Sequence, residues 1–384
     1  QRRPAIFVLS PPRSGSTLLR VLLGGHSQLF APPELDLFSF ATLGERRRAF
    51  SGRFAFWREG LIRAVMELAG SDAPAAERLV EGFEERDAEV SEVLGWLLDA
   101  CAPRLLVDKT PAYALHPAIL ERLEDEVPGA HYIHLLRHPQ AVIASFVEAH
   151  LDQLFFRPEH PYSGPELAEL VWQLSQRNIL EFQRRVAPER WHPVRFEELV
   201  AAPAEVMARL CAGLGLKLEP AMLEPYGDGR GRMTDGIHPL SKMLGDVKFH
   251  QHSAIDPAAA HRWQQQQGLR PLAPGTVALA ERLGYPAPEA PLSFAQQRFW
   301  LAHRLDASGY AYNIPAAVEL EGELDARALS GALSDLVARH QVLRSFFPVV
   351  EGRPVTRFRL PAGEPLPRLD LEGLGEGAAA EAAR

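Results

Sequence analysis

The sequence predicts an α/β fold in which helices flank a parallel β-sheet, followed by a smaller, partial α+β segment. Short apolar runs of strand length recur in the first part of the chain, at residues 5–9, 104–108, 131–136 and 192–196. The runs are continuous rather than alternating, which is typical of parallel strands that are buried on both faces. Amphipathic helical stretches separate the runs, as the crossovers of a parallel sheet require.

The helices follow from apolar periodicity and boundary residues. They are predicted at about residues 16–25, 57–100, 140–149, 165–186 and 274–284, with another between the second and third strands and one around Trp263. Residues 227–256 differ, because they are rich in Gly, Asp, His and Lys and show no clear period. Long irregular segments in compact domains are often lids or binding loops, so we expect this one to cover a ligand.

The composition limits what the chain can be. Its 384 residues suggest two domains, and 46% of them are hydrophobic, which suffices for a sizeable core. The net charge of −8 argues against a nucleic-acid partner, because binding to phosphate backbones requires clustered Lys and Arg. No apolar run is long enough to span a membrane, and Cys101 and Cys211 do not suggest a disulfide framework. We therefore expect a cytoplasmic protein, cut at both ends from a longer polypeptide.

The turn after the first predicted strand has the features of an anion-binding loop. Residues 11–17 read PPRSGST and precede a helix, whose N-terminus offers unpaired N–H groups and a positive dipole end. Gly15 allows close approach of the backbone, Arg13 can donate two hydrogen bonds, and Ser16 and Thr17 add hydroxyl groups. An ordinary helix cap by Ser14 or Ser16 is the alternative. A nucleoside-triphosphatase P-loop is disfavoured, because its Gly-Lys pair is missing.

Two motifs together resemble the PAPS-dependent sulfotransferases, where PAPS is 3′-phosphoadenosine-5′-phosphosulfate. The run PPRSGSTLL resembles their 5′-phosphosulfate loop, and HLLRHP at residues 134–139 resembles their 3′-phosphate motif. Arg137 ends a predicted strand, and Ser145 lies two turns along the next helix. The resemblance implies a sulfotransferase fold, PAPS as co-substrate, 3′-phosphoadenosine-5′-phosphate (PAP) as product, and no metal. It also implies that Arg13, Ser14, Gly15, Ser16, Thr17, Arg137 and Ser145 bind the nucleotide.

Four residues are candidates for catalysis. Lys109, in VDKTPAY, resembles the Lys-Thr-Pro segment of carbohydrate and tyrosylprotein sulfotransferases, and the end of its strand points into the crevice where α/β folds bind ligands. Glu34, counted from the loop arginine, stands where the tyrosylprotein enzymes place their basic Glu; it could instead cap a helix starting near Leu35. His250 and His252, in the irregular segment, are alternative bases.

The last quarter of the chain resembles a second family. Residues 286–291, PAPEAP, are typical of a stiff linker, after which a helix at 294–304, strands near 316–321 and 354–360, a helix at 325–339 and a hairpin at Gly352 are predicted. The runs PLSFAQQRFWL, YNIP and RHQVLRSFF resemble the opening motifs of nonribosomal peptide synthetase condensation domains. The catalytic His-His-x-x-x-Asp-Gly motif of that family does not occur, so we assign this segment no catalysis. The expected domains are 1–286 (sulfotransferase), 287–291 (linker) and 292–384 (truncated condensation domain).

The two resemblances imply a sulfotransferase within a modular synthetase. Its substrate would be a hydroxyl on an intermediate attached to the phosphopantetheine arm of an acyl or peptidyl carrier protein, next to neighbouring synthetase domains. Three alternatives remain: a stand-alone sulfotransferase for a small molecule or carbohydrate, a P-loop kinase, and a docking module with a degenerate site. Dependence on Mg²⁺ would identify the kinase, whereas sulfuryl transfer from PAPS needs no metal.

Overall fold

A computed structural model describes residues 3–151, 160–238, 249–266, 270–286, 290–305, 312, 314–316, 318, 320, 322–350, 352–358 and 366. The chain divides into two compact units, Gln1–Leu272 and Ala273–Arg384. The expected domain boundaries stay a prediction, since most of the linker at 287–291 lies outside the described residues.

The first unit is built on a five-stranded parallel sheet, which confirms the predicted fold class. Its strands are β1 (Ile6–Leu9), β2 (Leu29–Phe30), β3 (Leu105–Lys109), β4 (His131–Leu136) and β5 (Trp191–Arg195). The spatial order is β2-β3-β1-β4-β5, so β1 is central and pairs with both β3 and β4. Val8 is in register with Lys109 on one side and Ile133 on the other. The four predicted strands are present, and the two-residue β2 was not predicted.

Helices cover both faces of this sheet. They are α1 (Ser16–Leu23), α2 (Leu43–Ala49), α3 (Glu59–Ala69), α4 (Ala73–Glu85), α5 (Val90–Ala100), α6 (Pro117–Glu126), α7 (Pro139–Glu148), α8 (Gly164–Gln183), α9 (Phe196–Ala201) and α10 (Pro203–Gly213). The helical stretch predicted from residue 57 is a 3-10 segment, Gly52–Arg58, followed by three helices. Around Trp263 the structure has 3-10 turns rather than an α-helix, because such a short segment gains few helical bonds for the cost of nucleation.

The core is divided by the sheet into two layers. Successive side chains of β1 point to opposite faces, so Phe7 packs with Phe38 and Tyr132 while Ile6 and Val8 pack on the other face. All of these side chains are buried. Burial on both faces accounts for the continuous apolar runs in the sequence.

The second unit is a mixed α+β segment. Its elements are α11 (Pro274–Arg282), α12 (Phe294–Leu305), α13 (Ala326–Arg339), β6 (Ala290–Pro291), β7 (Ser345–Phe346), β8 (Val349–Val350) and β9 (Arg353–Phe358). Antiparallel pairing of β9 with β6, β7 and β8 includes the predicted hairpin at Gly352. The strand predicted at 316–321 falls partly outside the described residues, and its described positions are not in a strand. Phe294 and Ile314 are 87% and 94% exposed. Within the described parts of the chain, no helix is long and apolar enough to cross a membrane.

Candidate active site

A cavity of about 340 Å³ opens where β1, β3 and β4 end. Its lining includes the turn after β1, Pro111 after β3 and Arg137 after β4. This is the carboxyl edge of the sheet, where open α/β folds bind their ligands. Further lining residues come from the segment that carries Glu34, from α7, and from the 3-10 turns around Trp263, among other parts of this unit.

The turn after β1 has a backbone that only a few residue types adopt. Arg13 and Gly15 have φ angles of 65° and 88°, in the left-handed region. A Cβ atom at Gly15 would lie 2.2 Å from Cδ2 of Phe196, so no other residue fits without displacing that ring. The N-cap of α1 is Gly15, without a side-chain capping bond, so the alternative of an ordinary cap by Ser14 or Ser16 is not what the structure has. A helix start without a side-chain cap can offer its N–H groups to an anion.

The loop residues differ in their exposure to the cavity. Arg13, Gly15, Ser16 and Thr17 line it, whereas Ser14 does not. The Ser14 hydroxyl is buried and has no hydrogen-bond partner among the described residues. Four of the five residues predicted in this loop thus face the cavity with their backbone or side chains.

The two predicted phosphate motifs meet in space. Arg137 Nη1 donates a 2.7 Å hydrogen bond to the carbonyl oxygen of Arg13, and Arg13 Nε donates to Ser145 Oγ at 3.1 Å. The Arg137 guanidinium lies 4.2 Å from the centroid of the Phe196 ring, in cation–π geometry. Trp172 Nε1 donates to the Arg137 carbonyl oxygen at 3.2 Å, which fixes the backbone at the end of β4. Arg13, Arg137 and Ser145 all line the cavity.

Glu34 and Lys109 form an ion pair at the same edge of the sheet. Glu34 Oε1 lies 2.5 Å from Lys109 Nζ, and the side chains are 21% and 3% exposed. Glu34 lines the cavity and does not cap a helix, because the next helix, α2, begins at Leu43. Lys109 is the last residue of β3 and is held by the pairing of β3 with β1.

Two buried arginines hold the segment that carries Glu34, which we call the strap (residues 31–38). Arg20 Nη1 donates to the carbonyl oxygen of Ala31 at 2.8 Å. Arg46 donates to the carbonyl oxygen of Leu35 through Nε and Nη2, at 3.1 and 2.8 Å. Burial lowers the pKa of both guanidinium groups to about 10, so both stay charged at neutral pH. These bonds fix the strap on both sides of Glu34.

A glycine allows the strap to lie close to α3. A Cβ atom at Gly60 would be 1.9 Å from the carbonyl oxygen of Glu34. Gly60, Arg20 and Arg46 were not predicted as supports of the site, because a glycine in a helix and arginines on amphipathic helices look like ordinary surface residues. Only the buried environment of the strap shows their role.

The two candidate histidines take different positions. His252 lines the cavity, whereas His250 is not among the lining residues. Phe249, which also lines the cavity, stacks on Tyr226 with a centroid distance of 4.9 Å. In the described residues no group of three or more His, Cys, Asp or Glu side chains could hold a metal ion. The choice of base among Glu34, His250 and His252 stays a prediction.

The cavity wall is mixed in character. The charged side chains that line it include Arg13, Arg137 and Arg262, and Arg262 is ion-paired with Asp256 at 2.5 Å. Trp263, next to Arg262, stacks on His138 with a centroid distance of 4.2 Å. The cavity is also lined by apolar side chains, which we call the apolar wall and which include those of Phe50, Trp57, Leu115, Phe146, Leu151 and Val171. The lining therefore offers contacts both to anionic and to apolar groups of a ligand.

Burial also shifts the pKa of a histidine that packs against the cavity residue Trp263. It lowers the pKa of His138 to about 4, with a smaller contribution from His261. The His138 side chain accepts a hydrogen bond from the N–H of Gln140 at 3.2 Å and caps α7 in its neutral form. A neutral ring at this position offers Trp263 an aromatic face without a positive charge.

Comparisons with known proteins agree with the fold and the motifs. Residues 4–220 match the sequence model of the sulfotransferase family, and residues 287–382 match that of the condensation domain. Among solved structures, the sulfotransferase domain of the curacin biosynthetic pathway is 43% identical, with a TM-score of 0.69. The match covers 75% of this chain and 100% of the curacin domain. The sulfotransferase domain of the Synechococcus PCC 7002 olefin synthase is 36% identical, with a TM-score of 0.66, covering 75% of this chain and 97% of its own.

Curated relatives include much longer proteins. The dimodular nonribosomal peptide synthase of Bacillus subtilis is 37% identical over 133 residues, which cover 35% of this chain and 5% of the synthase. Nodulation protein NoeE of Sinorhizobium fredii is 28% identical over 275 residues, which cover 68% of this chain and 60% of that protein. The chain thus spans a small part of the synthase and less than two thirds of the nodulation protein.

Proposed function

We propose that this chain, which belongs to the sulfotransferase family, transfers the sulfuryl group of PAPS to a hydroxyl of an acyl or peptidyl intermediate. One observation carries the proposal: a single cavity is lined both by the anion loop with Arg13 and by Glu34, which is paired with Lys109. The loop is suited to the phosphosulfate, and the carboxylate is suited to the acceptor hydroxyl. Family membership supports sulfuryl transfer as the reaction.

The residues at the cavity fit a nucleotide with two anionic groups. Gly15 has no Cβ to fill the cradle in front of the uncapped start of α1, where backbone N–H groups can bind an anion. Arg13 and Arg137 add guanidinium groups, which suit phosphate oxygens. In this proposal the loop holds the 5′-phosphosulfate, and Arg137 with Ser145 holds the 3′-phosphate. Bound PAPS would supply the sulfuryl group and a stable leaving group.

The chain's own residues would then supply positioning, a base and a positive charge. Glu34 takes the acceptor's proton on its carboxylate as the acceptor oxygen approaches sulfur in line with the departing oxygen. Lys109 supports the negative charge that develops on the departing oxygen and keeps Glu34 in place through their contact. The apolar wall around Phe50 and Trp57 excludes water from the reacting groups.

The acceptor is proposed from the chain's context. A condensation-domain match follows at residues 287–382, and relatives include a nonribosomal peptide synthase. We therefore place the domain in a cytoplasmic assembly line, next to other synthetase domains. The hydroxyl would be delivered by a carrier protein on its phosphopantetheine arm, and the apolar wall of the cavity suits an acyl chain.

Mass spectrometry tests this function directly. Carrier proteins loaded with hydroxyacyl groups are incubated with the chain and PAPS in the presence of EDTA. A mass increase of one sulfuryl group on the acyl chain, together with release of PAP, supports the proposal. Modification that needs ATP and Mg²⁺ instead would identify a kinase and contradict it.

A further inference from the structure

The strap and the end of β3 are joined through the hydroxyl of Tyr113. This oxygen accepts hydrogen bonds from the N–H groups of Leu37 at 2.9 Å and Phe38 at 3.3 Å. It donates in turn to Oδ2 of Asp108 at 2.9 Å. Tyr113 and Asp108 are both buried, so water does not compete for these bonds.

A second chain of bonds runs beside the first. Thr110 Oγ1 donates to Oδ1 of Asp108 at 2.9 Å and accepts from the N–H of Asp36 at 3.3 Å. Burial raises the pKa of Asp108 to about 7, while its bonds from Thr110 and Tyr113 act in the opposite direction and favour the carboxylate. Both oxygens of Asp108 therefore act as acceptors from groups that also hold the strap.

These bonds lie beside the Glu34–Lys109 contact. Asp108 directly precedes Lys109 and pairs with Phe7 in the centre of the sheet, so its position is fixed. On the other side, the bonded N–H groups belong to residues 36–38, just after Glu34. The strap has no strand or helix of its own between β2 and α2, so its backbone depends on such side-chain bonds.

We propose that Tyr113 and Asp108 are positioning residues that place Glu34 against Lys109 for sulfuryl transfer. They do not touch the acceptor, and they act through the backbone of the strap. The inference rests on the proposed role of Glu34 as the base. It assigns a function to a tyrosine hydroxyl that would otherwise only complete the core, where the Tyr113 ring packs edge-on against Phe38.

The first test removes the hydroxyl and keeps the ring. Tyr113→Phe should lower kcat about tenfold while the KM for PAPS and the affinity for PAP change less than about twofold. Tyr132→Phe is the matched control, because Tyr132 is equally buried and its hydroxyl donates to Glu124 at 2.9 Å, near the start of β4. The Tyr132→Phe variant should lose about as much thermal stability as Tyr113→Phe and keep the kcat of the parent chain. Equal kcat values for the two variants would overturn the proposal.

A double-mutant cycle separates this inference from the proposed function. In the Glu34→Gln background, Tyr113→Phe should lower the residual kcat by less than about twofold, because the group it positions is no longer a base. The same tenfold loss in both backgrounds would overturn the positioning role. Near-full turnover of Glu34→Gln alone would instead refute the base and leave PAPS-dependent transfer standing. If Tyr113→Phe does not fold, Thr110→Val is measured in its place. This change removes the hydrogen bonds of the Thr110 hydroxyl with Asp108 and Asp36, and the same changes in kcat and KM are expected.

Discussion

The carboxylate of Glu34 lies 2.5 Å from the ammonium group of Lys109, although 75 positions separate the two residues in the chain. Lys109 is almost completely buried, and Glu34 is its ion-pair partner. Glu34 is the more exposed of the two and faces the cavity. The pair thus joins a carboxyl group that lines the cavity to a buried lysine at the end of β3.

The first prediction concerns the base. Glu34→Gln keeps the shape of the side chain but cannot accept a proton, so kcat should fall by roughly 10²–10⁴-fold. Affinity for PAP, measured by calorimetry, should hardly change, because Glu34 faces the acceptor in our proposal. His252→Ala serves as the comparison, since His252 also lines the cavity. Near-full turnover of Glu34→Gln together with an inactive His252→Ala would assign the base to the histidine.

The second prediction concerns Lys109. Lys109→Ala should lower kcat more than it lowers affinity for PAPS, because charge on the departing oxygen develops only in the transition state. Lys217→Ala is a suitable control, because Lys217 is exposed and only its backbone oxygen makes a described hydrogen bond, to His26. Steady-state kinetics and PAP calorimetry separate the two effects. Weakened binding with unchanged kcat would show that Lys109 is only a nucleotide contact.

The elements that position the site were largely predictable from the sequence. The strands have short apolar runs that are continuous because both faces of the sheet are buried, and the turn after β1 has a distinctive glycine and arginine. These are local signals. Glu34 and Lys109 were each predicted as site residues from their motifs, but the ion pair between them was not predicted.

The supports of the site were not predictable, because they depend on contacts distant in sequence. Arg46 lies in a run of three arginines that looks like a solvated helix face, yet it is buried and binds the strap. Tyr113 appeared only as the end of a motif, with no sign that its hydroxyl binds the backbone of Leu37. A local pattern records which residues are polar, but it does not record which buried carbonyl or N–H groups need a partner.

The third prediction concerns nucleotide recognition. Arg137→Ala should weaken binding of PAP by on the order of 2–4 kcal/mol, since the 3′-phosphate would lose a charged partner. AMP lacks the 3′-phosphate and is the internal control, so its affinity should change little. Calorimetry with both nucleotides measures the difference. An equal loss for PAP and AMP would show that Arg137 acts only by holding the carbonyl of Arg13.

The Arg13 variant should behave differently. Arg13→Ala should weaken PAP and AMP alike, because both nucleotides carry the 5′-phosphate that the anion loop is proposed to hold. A loss confined to PAP would instead indicate that Arg13 binds the 3′-phosphate and Arg137 the 5′-phosphosulfate.

The fourth prediction concerns pH and stability. His134 is buried, with its Nε2 atom 2.8 Å from Oε1 of Gln176, and burial lowers its pKa to about 4. The unfolded chain takes up this proton below about pH 6.5 and the folded chain only near pH 4. The unfolded state therefore binds more protons between these values, and the free energy of unfolding falls as the pH is lowered.

Substitution of His134 should remove this contribution. In His134→Gln the fall in unfolding free energy from pH 6.5 to pH 4 should be smaller than in the parent chain by about 3 kcal/mol. The exposed His116 gives the control variant, His116→Gln. Urea unfolding at several pH values measures the difference. Parallel pH profiles for the parent and His134→Gln would contradict the assignment.

The last prediction concerns delivery of the acceptor. A carrier attached to the same assembly line would present its acyl chain at a high effective concentration, so the enzyme need not bind the free acid tightly. One hydroxyacyl group is therefore compared as free acid, pantetheine thioester and carrier-bound thioester, with kcat/KM measured for each. The carrier-bound form should be preferred by at least about tenfold, because the arm brings the hydroxyl to Glu34 past the apolar wall. Equal use of all three forms, or better use of a free sugar or phenol, would favour a stand-alone type of sulfotransferase.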